Sequence, residues 1–547
     1  MSMKKYLKNL SAIIREDRMH IIIILFLVSL FFFYIDCHFL DIGFLPLHSI
    51  DEYAFHGSLL NIYSGIIGFS PSLMFRTGFY SYGFLYFFIN FIFSLPFLIF
   101  AKTSITILIP KVVSSISAVV MLLYVYKFYA LFADKKIVIF PILAIILMPG
   151  FWMYGSWFHP DMMMSCFLVM TAYQLAEDRG GYGKNYWLAG LFYALSLSIK
   201  FQAITYFPLF AFYNLFYSSK SIKDRFVKFI KISLMAVGIF ILTNPYILHS
   251  LGFNIFKQSL SDNIASNTTN HGQIGDVGFM AKINLSINHE YYNIFFIILI
   301  VIGVARFARY LWQGSNRISL VIFTTFLMNL IYLLFFVNKS WGWYYLPVML
   351  LGILTVAPLI GKFNRTRVIV IASLFVCVQF ILNINYVLAV ADFSDWNKEY
   401  ENNIMISDFI VESLKGDVKK GDNILISPYT GFSFERLGLD YKNVFMILGP
   451  ISSTMVDEEL YQKSVSKKFA SNEANIFKPF FDKKYIILRK NDIYFDKEKM
   501  ALIADKEGYE RAIELIDDLY SNKTNYRKLN ENSEVVIFRK ISSFDTH

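Results

Sequence analysis

Charged residues are scarce in this sequence. Only 17% of its 547 residues are Asp, Glu, Lys or Arg, while 56% are hydrophobic; soluble globular proteins carry roughly 25% charged residues. A chain so long and so apolar has too little polar surface to be soluble or disordered. Because backbone groups in lipid must be satisfied within their own segment, the composition predicts a polytopic α-helical membrane protein.

Cysteine is also rare, and the motifs of several enzyme classes are missing. Cys37, Cys166 and Cys377 are far apart, which suggests neither a disulfide framework nor a cysteine metal site. The sequence has no Gly-rich phosphate loop, nucleophile elbow, heptad repeat or internal repeat. ATP-driven chemistry within this chain is therefore not expected.

The charge that is present is unevenly spread. Residues 391–547 hold 50 of the 92 charged residues and a net charge of −4, whereas the first 390 residues carry a net charge of +14. In the first part the basic residues fall in short loops between apolar segments, where they place those loops in the cytoplasm. The formal charge of +10 therefore indicates membrane orientation and not nucleic-acid binding.

The composition divides the chain into three parts. Residues 1–19 are predicted to be a cytoplasmic N-terminus, residues 20–390 a multi-span membrane domain, and residues 391–547 a small extracytoplasmic α/β domain. The apolar segments of the second part predict about eleven crossings. The polar stretches 36–80 and 250–290 are expected to be outer loops.

Two further expectations concern local structure. The segment 83–100, with Asn90 and Pro96, is expected to pack at the membrane interface without crossing. In residues 391–547, hereafter the tail, strands are predicted at 423–427, 444–448, 485–488 and 535–538, and helices at 398–414 and 508–520.

The first candidate for chemistry is the acidic pair Asp51-Glu52, followed by Tyr53, in the first outer loop. Two carboxylates beside a membrane span are costly unless they are solvated or used. They can form the first turn of a helix capped by Ser49. Alternatively, one of them can act as a general base on an acceptor hydroxyl.

A second candidate is the segment Trp157-Phe158-His159-Pro160-Asp161, which lies on the same side by this topology. Asp161 fits a helix start, but the crowding by His159 and tryptophans also suits a site for a sugar or a metal. Outer cations can neutralise a phosphate leaving group or snorkel to the interface; these are Arg76, Lys200 and Lys339. The aromatic run 341–345, with Tyr344 and Tyr345, fits an interface belt or a sugar platform.

Histidine offers only a weak indication of metal binding. His56, His159, His249, His271 and His289 are all expected outside, where they could join Asp51, Glu52 or Glu290 around a divalent ion. No short ligand spacing such as HExxH supports this. No metal ligand is therefore assigned, and a divalent cofactor stays an open alternative.

The order of these motifs resembles the GT-C glycosyltransferases, in particular the group of protein O-mannosyltransferases and the lipid A aminoarabinose transferase. The resemblance covers about residues 20–220. It rests on the acidic pair, the segment Tyr80–Tyr86, His159-Pro160-Asp161 and the glycine-containing span that ends in Lys200. The sequence departs from the family where Tyr82-Gly83 replaces a common Pro-Pro and His159 replaces a frequent Arg.

The resemblance implies a membrane transferase that takes a sugar from a polyprenyl-phosphate carrier on the outer face. Asp51 is then the general base, and the transfer inverts the anomeric carbon. The catalytic residues it implies are Asp51, Glu52 and Asp161. Substrate-binding residues are expected at Arg76, Tyr82, His159, Lys200, Tyr344 and Tyr345. The partners are the lipid-linked donor, an extracytoplasmic glycan, lipid or protein acceptor, and membrane lipid.

Two other functions are compatible with such a chain. A transporter or flippase of a lipid-linked saccharide predicts ionisable residues at mid-membrane and inverted repeats, and the sequence shows few of the former and none of the latter. An oligosaccharide ligase or polymerase also has a large outer loop, but the acidic pair favours the monosaccharide transferase. The Ile, Phe, Lys and Asn richness favours a bacterial cytoplasmic membrane, with the C-terminal domain outside.

Overall fold

The protein is a helical bundle followed by a small mixed sheet. The computed structural model describes residues 16–37, 51–75, 82–100, 103–134, 137–217, 220–269, 278–338, 341–392, 397–426, 430–439, 444–446, 483–490, 517–521 and 524–541. Its α-helices, in chain order, are α1 Glu16–Cys37, α2 Asp51–Ile67, α3 Pro71–Phe75, α4 Phe84–Ile99, α5 Thr103–Tyr129, α6 Ile139–Ile146, α7 Pro149–Gly155, α8 Asp161–Asp178, α9 Lys184–Ile199, α10 Pro208–Phe212, α11 Ile222–Thr243, α12 Ser250–Thr269, α13 Phe279–Ala281, α14 Ile294–Arg306, α15 Ala308–Leu311, α16 Arg317–Phe335, α17 Leu346–Thr355, α18 Ala357–Ile360, α19 Arg365–Asp392 and α20 Asn397–Leu414.

Six helical segments in the described part of the chain are long and apolar enough to cross a membrane. They are His20–Cys37, Ile105–Tyr129, Ile222–Thr243, Gly314–Phe335, Gly342–Ile360 and Arg365–Val390. Helices α4 and α14 are apolar but shorter, and α8 and α9 complete the bundle. The count of about eleven crossings stays a prediction, as does the interfacial position of 83–100.

The centre of the bundle is built around α8, which packs against α5, α9 and α17. Its residues between Asp161 and Glu177 carry no charge, and most of them are buried. Helix α17 is buried along its whole length. In contrast, α1, α11 and α19 expose many large apolar side chains, as expected of helices that face lipid.

Proline divides several apolar segments into separate helices. Pro149 begins α7 directly after α6, and Pro208 and Pro347 each stand at the start of a helix. Proline is favoured at a helix start because it has no N–H to donate. Pro96 and Pro110 lie inside continuous helices. The candidate residues lie at the start of α8 and just after the end of α9.

The tail forms a sheet in the order β2-β1-β3-β5-β4. Its strands are β1 Ile424–Ile426, β2 Val444–Met446, β3 Tyr485–Arg489, β4 Tyr526–Glu531 and β5 Val535–Lys540. The first three are parallel neighbours, while β5 is antiparallel to both β3 and β4. Helix α20 matches the helix predicted at 398–414; of the one predicted at 508–520, only 517–520 are described, and these are helical.

Candidate active site

A buried ionic cluster surrounds Asp161. Helix α8 begins at this residue, and its neighbour α9 ends just before Lys200. The Lys200 Nζ atom lies 2.7 Å from Asp161 Oδ1, and His159 Nδ1 contacts the other carboxylate oxygen. All three side chains are buried. The start of α8 and the end of α9 therefore meet at this ionic cluster.

The surroundings keep the Asp161 carboxylate ionised. Burial alone raises its pKa, because a low-dielectric interior disfavours charge. The charges of Lys200 and His159 and their hydrogen bonds outweigh burial, so the pKa of Asp161 lies below its ordinary value. Asp161 is therefore a hydrogen-bond acceptor that holds two donors in place.

Tyr82 joins this cluster through a short backbone pairing. Tyr82 forms an isolated antiparallel bridge with Lys200, and Gly83 donates its N–H to the Ile199 carbonyl at 2.9 Å. The Tyr82 hydroxyl lies 3.3 Å from His159 Nε2. The lysine ammonium also lies 5.3 Å from the centre of the Tyr82 ring. The pairing thus sets a tyrosine against both Lys200 and His159.

An aromatic wall covers the same cluster. Trp157 stacks on His159 with ring centres 5.0 Å apart, and Trp343 packs edge-on against Trp157 at 5.1 Å. The Lys200 ammonium lies 5.0 Å from the Tyr344 ring centre, within the range of a cation–π contact. The run 341–345 therefore contributes Trp343 and Tyr344 directly to the site.

Tyr345 faces a second carboxyl group, Glu290. Burial raises the pKa of Glu290 to about 8, and the hydroxyl of Tyr154 hydrogen-bonds to its carboxyl group. Glu290 also interacts electrostatically with Tyr345. A Cβ atom at Gly342 would lie 1.5 Å from Glu290 Oε2, so any other residue there must displace the Glu290 carboxyl group. Glu290 is thus packed behind the aromatic wall.

The acidic pair stands at the beginning of α2. Asp51 is the first residue of the helix, and its side chain lies outside the described part. Glu52 is buried and pairs with Lys111 of α5, with 2.5 Å between Nζ and Oε1. The same Glu52 oxygen accepts the Phe158 N–H at 3.1 Å. Since Phe158 directly precedes His159, the acidic pair and the Asp161 cluster are neighbours.

Two predicted cations and one predicted cap cannot be placed. Arg76, Lys339 and Ser49 lie outside the described residues. Within the described ranges, no group of three or more His, Cys, Asp and Glu residues is arranged to hold a metal ion. His56 instead contacts Thr106 of α5, 3.0 Å from its hydroxyl.

Sequence reasoning missed Lys111 and gave Glu290 no role beyond a weak metal ligand. The only signal for Lys111 was a lysine inside the apolar stretch 103–129, where an unpaired charge is costly. The only signal for Glu290 was the position of this acidic residue beside Tyr291 and Tyr292, at the edge of an apolar segment. Both signals indicate an ionisable residue in apolar surroundings, but neither identifies the partner of that residue.

Comparison by sequence finds no matching protein family and no matching curated protein. By structure, the chain resembles ArnT from Cupriavidus metallidurans bound to undecaprenyl phosphate, with a TM-score of 0.54 and 11% identity over 95% of this chain and 98% of that one. For apo ArnT the TM-score is 0.51 and the identity 11%, over 94% and 97% of the two chains. The Archaeoglobus fulgidus oligosaccharyltransferase gives 0.48 and 12%, over 90% and 72%. The likeness to ArnT confirms the predicted fold class, a polytopic α-helical membrane bundle with a small C-terminal α/β domain.

Proposed function

We propose that this protein is a membrane glycosyltransferase that moves a sugar from a polyprenyl-phosphate carrier to an acceptor hydroxyl on the outer face. The observation that carries the proposal is the buried cluster of Asp161, His159 and Lys200 beside the start of α2. It lies in a fold shared with ArnT, which was solved with undecaprenyl phosphate. Polar groups gathered at one end of an apolar bundle suit a lipid-linked donor.

The proposed reaction is a single inverting displacement. Asp51 takes the proton of the acceptor hydroxyl as its oxygen attacks the anomeric carbon. The bond from that carbon to the phosphate oxygen breaks, and the lipid phosphate leaves with the electron pair. Asp51 is preferred to Glu52 as the base, because the Glu52 carboxylate is held by Lys111 and the Phe158 N–H.

The placement of the charged and aromatic groups supports the substrate contacts that we propose. Lys200, together with Arg76, stabilises the negative charge that develops on the leaving phosphate. Asp161 keeps the Lys200 ammonium beneath the Tyr82 and Tyr344 rings, so no reorganisation is needed during transfer. His159, Tyr82, Tyr344 and Tyr345 contact the sugar, and the isoprenoid tail lies against the apolar bundle.

The test is sugar transfer by purified protein in detergent, with a panel of polyprenyl-phosphate monosaccharides as donors and cell-envelope extract as acceptor. We expect transfer by the wild type, and a loss of at least about a hundredfold in Asp51→Asn, the lower end of what a general base contributes. Glu412→Gln is the matched control, because Glu412 is an exposed tail carboxylate.

The result against the proposal is equally clear. If the wild type transfers sugar from no donor in the panel, the transferase assignment is wrong and the transporter and ligase hypotheses gain weight. If the wild type is active and Asp51→Asn is equally active, the reaction class stands and Asp51 is only a helix-start residue.

A further inference from the structure

Lys111 is a buried cation that the proposed reaction does not use. It lies inside the long apolar helix α5, and its side chain is fully buried. The side chain of its partner Glu52 is only 3% exposed. Isolated charges at such positions are expensive, so they are retained where they perform a role. The contacts around Lys111 indicate what that role is.

The Lys111 region of α5 connects three parts of the chain. Lys111 pairs with Glu52 at the start of α2 and interacts electrostatically with Asp36 near the end of α1. One turn further along α5, Ser115 lies 3.0 Å from both an Asp36 carboxylate oxygen and the Gly155 carbonyl oxygen. A single face of α5 therefore contacts α1, the start of α2 and the last residue of α7.

The same face of α5 lies between two parts of the site, the start of α2 at Asp51 and the turn at 155–161. Glu52 Oε1 accepts from Lys111 and from the Phe158 N–H at the same time. Phe158 is followed by His159, which contacts Asp161. A change in the Glu52 position thus displaces the 155–161 turn on one side and the neighbouring Asp51 on the other.

We infer that Glu52 and Lys111 form a positioning pair: Lys111 neutralises the buried Glu52 carboxylate, and the Glu52 oxygen on the Phe158 N–H keeps the helix start at Asp51 and the turn at 155–161 in a fixed relative position. This inference rests on the proposed function. The essential contact is the hydrogen bond from the Phe158 N–H to the Glu52 oxygen. Lys111 is needed because it neutralises and orients the buried carboxylate that supplies this oxygen. Misplacement of a catalytic group by about 1 Å can cost a hundredfold in rate.

The experiment compares two double variants that both remove the buried charges. Glu52→Gln with Lys111→Met keeps an acceptor oxygen for the Phe158 N–H, whereas Glu52→Met with Lys111→Met has none. Gln and Met are both unbranched and of similar length. Single variants are avoided, because they leave one charge buried without its partner.

We expect the Gln pair to have a kcat at least about tenfold above that of the Met pair, with equal donor KM and unfolding temperatures within a few degrees. Equal kcat values in two folded pairs would overturn the inference and leave the transferase proposal intact. Absence of transfer by the wild type would overturn both.

A second variant covers the case in which the Met pair does not fold. Ser115→Ala removes the hydroxyl near Gly155 while keeping the ion pair, and it deletes only one oxygen atom. We expect kcat to fall severalfold at unchanged donor KM and unchanged unfolding temperature. A wild-type kcat in Ser115→Ala, when the Met pair cannot be purified, would also overturn the inference.

Discussion

At the scale of single residues, Glu290 makes stability depend on pH. Burial raises its pKa from 4.5 to about 8, so the folded protein favours the neutral acid while the unfolded chain ionises near 4.5. Folding stability must therefore fall as the pH rises from about 4.5 to about 8, and stay level above that. In Glu290→Gln this dependence is removed, and its unfolding temperature should decline less across that window.

The effect is measurable, because each unit of pKa shift corresponds to about 1.4 kcal/mol. Thermal unfolding in detergent at pH 5, 6, 7 and 8 gives the comparison, with Glu412→Gln as an exposed-carboxylate control. Parallel curves for wild type and Glu290→Gln would show that Glu290 ionises normally in the folded protein.

The sequence pointed to several candidates that the structure brings together, but not to their partners. Asp161, His159, Lys200 and Tyr82 were candidates from motif order, and the structure brings them together with Tyr344. The Glu52–Lys111 pair joins residues 59 positions apart, and no local periodicity specifies such a pairing. Desolvated pairs depend on tertiary packing, which one sequence does not display.

At the scale of elements, the close approach of α4 to the end of α9 depends on Gly83. A Cβ atom there would lie 1.8 Å from the Ser198 carbonyl oxygen, so Gly83→Ala must push the two elements apart. Overpacking of this kind costs about 1–3 kcal/mol. We expect a lower unfolding temperature and reduced transfer, since Tyr82 moves away from His159 and Lys200.

Gly238 in α11 is the matched control for this prediction. Nothing lies within 4 Å of a Cβ built there, so Gly238→Ala should be neutral or stabilising, as alanine favours a helix interior. An unchanged unfolding temperature for Gly83→Ala would mean that the two elements are not in close contact.

Elements were predictable to different degrees. Strands predicted at 423–427, 444–448, 485–488 and 535–538 correspond to β1, β2, β3 and β5, because short apolar runs between polar segments are a local signal. Strand β4, Tyr526–Glu531, was missed: its sequence is YRKLNE and most of it is exposed. Proline shows the limit of local signals: Pro208 and Pro347 stand at the starts of helices, whereas Pro96 and Pro110 lie inside continuous helices.

At the scale of the whole molecule, the predicted topology puts the tail domain and the Asp161 cluster on the same outer side. The basic residues of 220–231, which lie at the start of α11, predict a cytoplasmic position for that helix end and an odd number of crossings between it and the tail. Lys223 and Glu412 are both exposed and suit labelling from opposite sides. In a background in which Cys37, Cys166 and Cys377 are replaced, we expect Glu412→Cys to react with a membrane-impermeant maleimide in intact spheroplasts of a bacterial host. Lys223→Cys should react only after the membrane is permeabilised. Labelling of both positions in sealed spheroplasts would require an even number of crossings, and labelling of Lys223→Cys alone would invert the protein and place the acceptor side in the cytoplasm.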